Sequence, residues 1–485
     1  MPSRSSRRVA IVGGGISGIS CSWHLRDHDC EVDIYESDDR LGGHASSVPF
    51  TGPNGRFDVD TGFIALNEAT YPHFNAFLKD LGVETIPTDM SFGVSALNGA
   101  FEWGSYSFSS FVGSFTRLFD TWFLRLLFDV LRFFLFAQDI LKEEPASKSA
   151  KGENRFESIG EYLRRKRYSN QFITYFLIPM VAAPWCIDPD EFAATFPARN
   201  LIQFMLRHGI LEAVSKKLHW RTFANGSKTY VDAFRRQMPS HHRVHLNSTV
   251  KSVSRDGDKA SITFTDGSIR VFDHVLLAVH ANQALSILGD QATMKEREIL
   301  GSFKTSRNIC YLHSDMTQLP RRPSARVAWN CFINSCGDSP TDKSRRIALT
   351  FDMNKLQSIP FPGEADSPGR VLVTMNPTTA PSSVQSTHVY YHPLISSESI
   401  IGTRRLHEVN GPSSVTFAGA WMGYGFHEDG FLAGAHAARL ITNGKGFTPP
   451  LNLVDYIDER TALPTSLTRT ILRTLINVIQ HLMAW

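Results

Sequence analysis

The sequence predicts an α/β fold: a Rossmann-type nucleotide-binding domain assembled from separate stretches of chain, with an α+β domain interleaved between them. Three observations carry that expectation. The first is RRVAIVGGGISGIS near the N-terminus, where the apolar run from Val9 to Val12 suits a buried parallel strand and Gly13, Gly15 and Gly18 then open a stretch of helical period. The second is EVDIYE, a further apolar strand that ends on Glu36. The third is HVLLAVHA at residues 274 to 281, another short run of the parallel type, far along the chain.

The three glycines fill the frame G-x-G-x-x-G. The first permits a tight turn, the second lets backbone approach a pyrophosphate, and the third lets the helix pack on its strand. With strand, glycines, helix, strand and acid in that order, Gly13, Gly15, Ile16, Ser17 and Gly18 are candidate dinucleotide binders. Glu36 follows Gly18 by eighteen residues, near the spacing that hydrogen-bonds a ribose 2′-hydroxyl. An acid there favours FAD or NAD over NADP. The next stretch, SDDRLGGHASS, supplies Arg40 and the Gly42-Gly43 pair, a cation and a second backbone turn for the same pyrophosphate, as an FAD lying through a protein requires. His44 adjoins that pair.

This layout of glycine frame, ribose acid and Arg-x-Gly-Gly resembles the flavin-containing amine oxidase superfamily, whose nucleotide domain is of the GR2 type. DVDTGFIALNEATYPHFNAFLKDLGV (58 to 83), AAPWCIDP (182 to 189), FPARNLIQFMLRHGIL (196 to 211), WRTFANGSKTYVDAF (220 to 234), VTMNP (373 to 377) and FAGAWMGYGFHEDGFLAGAHAA (417 to 438) look like one branch of it. That branch is the predicted FAD/NAD-binding oxidoreductases associated with cyclopropane fatty acid synthases, and it also resembles the flavoprotein domain in front of plant cyclopropane synthases.

The resemblance implies an FAD domain built from residues 1–85, 220–290 and 405–445, a substrate domain from 86–219 and 291–404, and a tail at 446–485. It adds Asp60, Gly62 and Val250 to the cofactor contacts, the last through its backbone at the adenine. It also gives the second glycine-rich turn a role, with Gly419, Ala420, Glu428, Asp429 and Gly430 as cofactor contacts. A helix starting near Asp429-Gly430 would aim free N–H groups and the positive end of its dipole at the flavin N1–C2=O edge, where negative charge gathers on reduction. The two glycine turns then hold opposite ends of one cofactor. Trp421 and Tyr424 fall where substrate would meet the ring. His427 is the candidate for proton transfer, or else a histidine that bonds the turn or the cofactor. Glu428 and Asp429 also suit fixing the turn and capping the helix. No flavinylation motif is recognised, so non-covalent FAD is expected, with His44 and His427 the alternatives for a covalent link.

Composition agrees with a two-domain globular protein: 485 residues exceed one core, and 42% hydrophobic with 20% charged residues is not the signature of disorder. A net charge of +3 without a basic, aromatic-interleaved stripe gives no sign of nucleic-acid binding. Six cysteines fit neither zinc spacing nor a disulfide framework, so no metal and a reducing, cytoplasmic compartment are expected. No secretory signal is read at the N-terminus. KEEPASKSAKGEN (142 to 154) reads as an exposed loop, and ITFTDGSIRVF as a hairpin through Asp266-Gly267.

Two stretches speak to lipid. From Phe108 to Phe136 phenylalanine and leucine crowd the chain, while Arg117, Arg125, Asp129 and Arg132 fall in one sector of a helix. That pattern suits a substrate-domain helix and also allows a membrane-facing one. An amphipathic helix is expected over 465–485, with Leu467, Ile471, Leu475, Ile476, Val478 and Ile479 on one half and Arg469 and Arg473 on the other. It would dock on the body or a neighbouring subunit, or lie in a membrane interface with Trp485 at headgroup level.

The chemistry that follows is oxidation or desaturation of a hydrophobic, fatty-acyl or lipid-like substrate, with oxygen or a redox protein as electron acceptor, since a second dinucleotide frame is not found. Amine oxidation is the main rival, but Gly419-Ala420-Trp421 replaces the superfamily's usual Gly-Thr-Glu, and spacing cannot place Lys228 as a lysine beside the flavin. A double-bond isomerase that uses flavin transiently, or a non-catalytic flavin-binding accessory, stays open.

Overall fold

The run Val9–Val12 has no polar face, so it needs cover on both sides. In the computed structural model, which describes residues 6–143, 155–212, 218–334, 346–411, 413–448 and 467–482, it forms the centre of a five-stranded parallel sheet. In chain order the strands are β1 (Arg7–Val12), β2 (Cys30–Tyr35), β3 (His242–His245), β4 (His274–Leu277) and β5 (Val415–Phe417); in space they run β3-β2-β1-β4-β5. Register sets Val9 beside Val32 and His274, and Ile11 beside Ile34 and Leu276.

The helices used below are α1 (Ile16–Leu25), α2 (Pro72–Asp80), α3 (Thr121–Phe136), α4 (Lys228–Gln237), α5 (His427–Ile441) and α6 (Leu467–Leu482). One face of the sheet is covered by α1, α2, α4 and α5 through Ile19, Phe74, Phe77, Tyr230 and Phe431. The other is covered by a three-stranded antiparallel meander of residues 250–272 and by the helices that follow β4. The meander turns at Gly257 and at Asp266-Gly267, where Gly267 has φ +84°.

A second, seven-stranded sheet orders its strands 384–394, 304–313, 372–375, 346–352, 329–334, 92–96 and 101–104; all pairings are antiparallel except that of 329–334 with 92–96. With α3 and the helices of 159–207 it encloses an aromatic core that includes Trp103, Phe123, Phe133, Phe172, Trp185 and Phe196. Two pieces fall on other sides than expected. The hairpin Ser47–Gly52 with Gly55–Asp60 buries Phe50 and Val59 in this second core, and Ile299, Leu300 and Phe303 pack into the nucleotide core.

The charged sector of α3 points inward. Asp129 and Arg132 are 0% and 3% exposed, Arg125 pairs with Asp129 at 3.0 Å, Asp129 accepts the Ser169 amide at 2.8 Å, and Arg132 lies 3.8 Å over the Tyr168 ring. Charges sequestered in this way must be mutually paired. The loop expected at 142–154 lies outside the described residues from 144 onward, as does Trp485.

Burial holds several histidines neutral. His208, His242, His313 and His392 are pushed down to about 4 from an ordinary 6.5, with desolvation the largest cause in each. Between pH 6.5 and about 4 the unfolded chain therefore binds protons that the folded chain does not, and the stability these groups lend above 6.5 is lost as pH falls. Thermal melting is expected to drop by about 5 °C or more between about pH 7 and about pH 5; an unchanged melting temperature would show these rings to be accessible.

Candidate cofactor and active site

The first glycine turn divides into positions that need close packing and one that needs space. A Cβ at Gly18 would sit 2.1 Å from the Gly13 carbonyl oxygen, and one at Gly13, with φ +105°, 2.4 Å from that of Ala278. At Gly15 nothing lies within 4 Å of where a side chain would begin. Gly15 also opens α1, whose start has no side-chain cap, so its first amides stay available. The second turn lies across from it: Gly42 donates to the Gly14 carbonyl at 2.8 Å, and a Cβ on Gly43 would meet only the Gly15 Cα, at 3.3 Å. Two glycine backbones thus face an amide-lined gap, which fits a pyrophosphate.

Glu36 closes one end of this gap. Its carboxylate accepts from the Gly14 amide at 2.7 Å and from the Asp38 amide at 2.9 Å. The Ser248 amide donates to the Glu36 carbonyl at 2.8 Å, which brings the strand start at Val250 beside the acid and the first turn. Arg40 corrects its expectation: the guanidinium donates to the carbonyls of Leu41, Gly43 and Ala45 at 3.0 to 3.3 Å, so it shapes the Gly42-Gly43 turn rather than reaching outward.

The two glycine turns are neighbours. The Ser17 hydroxyl donates to the Gly430 carbonyl at 2.8 Å, Ile16 lies against Gly430, and a Cβ at Gly434 would come within 2.1 Å of the Ser17 carbonyl oxygen. Hence α1 and α5 start side by side. Ser17 and Ile16 serve this packing with their side chains and leave only backbone to a ligand. Gly419 and Ala420 enter from the end of β5, where the Gly425 amide donates to the Ala420 carbonyl at 3.1 Å.

Three carboxylates expected at the cofactor are instead spent on backbone amides. Asp429 accepts from Tyr424 and Phe426 at 3.0 and 2.9 Å and caps α5. Glu428 accepts from the His73 and Phe74 amides at 3.1 and 2.9 Å and pins α2. Asp60 accepts from Ser47 Oγ at 2.6 Å and from the Ser227 amide and hydroxyl at 2.8 and 2.7 Å, at the start of α4. Burial nonetheless pushes Asp60 up to about 7, against those hydrogen bonds. Gly62 is a close-approach position, since its Cβ would lie 2.4 Å from the His44 carbonyl oxygen.

His427 is also corrected. Its ring stacks 3.6 Å from that of Phe63, Nε2 shares a hydrogen bond with the Tyr230 hydroxyl at 2.9 Å, and burial pushes it down to about 3. A ring held neutral and already bonded serves to position the start of α5. Trp421 turns into the nucleotide core, donating Nε1 to the Val279 carbonyl at 2.9 Å with its ring 4.5 Å from Phe303. Tyr424 faces the other way, its hydroxyl on the Asn200 carbonyl at 3.2 Å and its ring 5.4 Å from Phe204. Lys228 is paired with Asp58 at 2.5 Å.

Sequence reasoning missed the histidines gathered around His44. Its ring lies 5.4 Å from His392, 5.1 Å from Tyr390 and 6.4 Å from His280. His44 Nε2 and His280 Nδ1 are buried without a hydrogen-bond partner, whereas His392 Nδ1 is bonded to Asn308 Nδ2 at 2.8 Å. Burial, then repulsion from His392 and His280, holds His44 well below its ordinary range. Such orphaned ring nitrogens beside Gly43 suit a polar group lying against them, and with the open cradle at Gly15 the residues present fit FAD. The available signal was HVLLAVHA and VYYHP, two strands that each end near a histidine. A separate cleft of about 650 Å³, lined by Asp89, Lys355 and Phe361 among others, shares no residue with the glycine turns.

The spacing at Gly15 and Gly18 separates ligand from fold. In flavin-free protein, Gly15→Val is expected to leave the melting temperature unchanged and to abolish FAD uptake, whereas Gly18→Val should cost about 1–3 kcal/mol of stability. Equal destabilisation by both would show that Gly15 packs rather than cradles. His427→Gln is expected to retain turnover within about threefold while lowering stability by about 1–3 kcal/mol; loss of a limb from the pH–rate profile would return it to proton transfer.

The sequence profile of the flavin containing amine oxidoreductase family matches residues 16–313, well over half of the chain. Protoporphyrinogen oxidase 2, chloroplastic/mitochondrial, of Arabidopsis thaliana is 25% identical over 190 residues, 39% of this chain and 34% of that protein. The putative flavin-containing monoamine oxidase AofH of Mycobacterium tuberculosis is 25% identical over 259 residues, 53% of this chain and 54% of that protein. The chain thus spans about a third to a half of the length of these curated relatives. Among solved structures, the CLA-producing fatty acid isomerase from P. acnes superposes with a TM-score of 0.59 at 14% identity, covering 90% of this chain and 99% of the other, which establishes the shared fold. A glycine frame on a parallel sheet, a second glycine turn against the same helix and a profile match from α1 into the second domain have one reading: the chain belongs to the flavin containing amine oxidoreductase family, and its cofactor is FAD.

Proposed function

We propose that the protein oxidises or desaturates a fatty-acyl or other lipid-like substrate, in the setting of cyclopropane-lipid synthesis that its sequence resembles. The observation that carries this reading is the orientation of Trp421. An amine pocket of the superfamily calls for an aromatic pair beside the flavin and often a lysine near it. Here Trp421 is committed to Val279 and Phe303, away from Tyr424, and Lys228 is committed to Asp58. What meets Tyr424 instead is an aromatic nest of Phe204, Phe426 and Trp185, with Trp185 Nε1 donating to the Tyr424 carbonyl at 2.7 Å. This apolar cluster is part of the second core, and it is the hydrophobic surrounding that a hydrocarbon chain would adjoin.

Bound FAD supplies acceptance of a hydride equivalent. The chain's own part is to hold and orient. The amides at Gly13–Gly18 and Gly42–Gly43 would bind the pyrophosphate, and Glu36 would bind the ribose. The start of α5 presents its dipole, while the neutral rings of His44, His280 and His392 offer hydrogen bonds without adding charge. Oxygen or a redox protein would serve as the electron acceptor. Five described cysteines, Cys21, Cys30, Cys186, Cys310 and Cys331, are buried thiols without disulfides, which supports a reducing, cytoplasmic setting.

Anaerobic mixing of the purified flavoprotein with fatty acids, phospholipids and amines tests the reading through the visible flavin band. Bleaching by an acyl lipid and not by any amine is the expected outcome. Bleaching by amines alone would establish the amine oxidase reading, and a double-bond shift in a lipid without net bleaching would establish the isomerase.

A further inference from the structure

We propose that His392 touches the cofactor as a neutral Nε2–H donor to FAD, and that Asn308 and Asn376 are the positioning residues that fix its proton. The direction of every hydrogen bond in this group follows from one backbone amide, which can only donate. The Ile309 N–H donates to Asn376 Oδ1 at 2.9 Å. Asn376 therefore turns its Nδ2 to Asn308 Oδ1, at 2.6 Å, and Asn308 in turn offers Nδ2 to His392 Nδ1 at 2.8 Å. The Ser306 carbonyl, which can only accept, takes the same Asn308 Nδ2 at 3.2 Å and requires the same orientation from the other side. A ring nitrogen that accepts carries no proton, so the proton of a neutral His392 is on Nε2.

The relay is built into the second sheet. Asn308 is 1% exposed within the strand 304–313. Asn376, in the stretch VTMNP, takes the left-handed conformation at φ +50°, which asparagine tolerates, and its own amide donates to the Ile309 carbonyl at 2.8 Å. Side chains alternate between faces along the edge strand 384–394, so Tyr390 and His392 share the face toward His44, at ring distances of 5.1 and 5.4 Å. The Tyr390 hydroxyl is tied in turn to Thr61 Oγ1 at 2.6 Å.

The space beside these rings calls for a ligand with hydrogen-bonding atoms. His44 follows Gly43, and His280 stands just past the C-terminal end of β4, at the edge of the parallel sheet where open α/β folds bind their ligands. His44 Nε2 and His280 Nδ1 are buried there without partners. FAD offers phosphate, hydroxyl, carbonyl and ring-nitrogen acceptors, and a donor whose proton is fixed in place meets them without adding a charge. Burial, then repulsion from His280, pushes His392 down to about 4, so the ring holds a single proton at neutral pH and Asn308 decides which nitrogen carries it. An imidazolium would have to turn an N–H against the Asn308 amide hydrogens. The inference rests on FAD as the cofactor and holds whichever substrate the flavin oxidises.

Neutron diffraction from deuterium-exchanged crystals of the native flavoprotein locates the proton directly. A deuteron on His392 Nε2, directed at an atom of FAD, is expected. A deuteron on Nδ1, or an Nε2–D bond that meets no atom of FAD, would overturn the proposal without recourse to any variant. In Asn308→Asp, whose carboxylate can only accept, the same measurement should find a deuteron on Nδ1; a bare Nδ1 there would remove Asn308 from the relay. In solution, the dissociation constant for FAD titrated into flavin-stripped protein should rise about tenfold in His392→Phe and stay within about threefold in His392→Gln, which keeps an N–H donor. Melting temperatures of the stripped proteins separate a lost contact from a lost fold, and equal affinity of native protein and a folded His392→Phe would show that His392 does not touch the cofactor.

Discussion

The close contact between α1 and α5 is the constraint on which the site depends. These helices come from opposite ends of the chain, and they approach until any side chain at Gly434 would collide with the Ser17 carbonyl. Hydrogen bonds from Ser17 and Ser20 to the carbonyls of Gly430 and Phe431 then lock the pair. Because both helices open at the same place, their N-terminal ends converge on one volume, which is where a cofactor rich in oxygen acceptors is best held. Small residues along α5 are therefore a packing requirement first, and the electrostatic benefit follows from it.

Around this contact the protein uses buried carboxylates as fasteners. Asp60, Glu428 and Asp429 each accept backbone amides at or just before the start of a helix. Removing an anion of this kind from water is costly unless several donors meet it. Two or more do in every case. Orphaned polar atoms collect elsewhere, at His44 and His280, on the side of the gap facing the second domain. The contrast between satisfied anions and unsatisfied neutral rings separates residues that build the site from residues that await a ligand.

The second domain shows what amphipathic pattern can and cannot reveal. In α3 the sector holding Arg125, Asp129 and Arg132 is evident from spacing, but spacing does not say whether it faces water. Tyr168 and Ser169, supplied by a distant segment, draw it inward. In α6 the arginines are drawn in by the carbonyls of another helix's last turn. Period alone records that two faces differ; the partner decides which is inside.

The sequence by itself determined the parallel sheet, the first glycine turn, Glu36 and the second glycine-rich turn. Each rests on a local rule in which apolar run, glycine spacing and strand length are encoded within a few residues. Only the tertiary structure decided the rest. Trp421 and Tyr424 stand three residues apart yet serve different domains, and His427, beside the cofactor turn in sequence, is closed off by Phe63 and Tyr230. His44, His280 and His392 come from three separate segments and meet because the second sheet lies over the first. Side-chain direction and long-range assembly depend on partners tens to hundreds of residues away, and no local pattern carries that information.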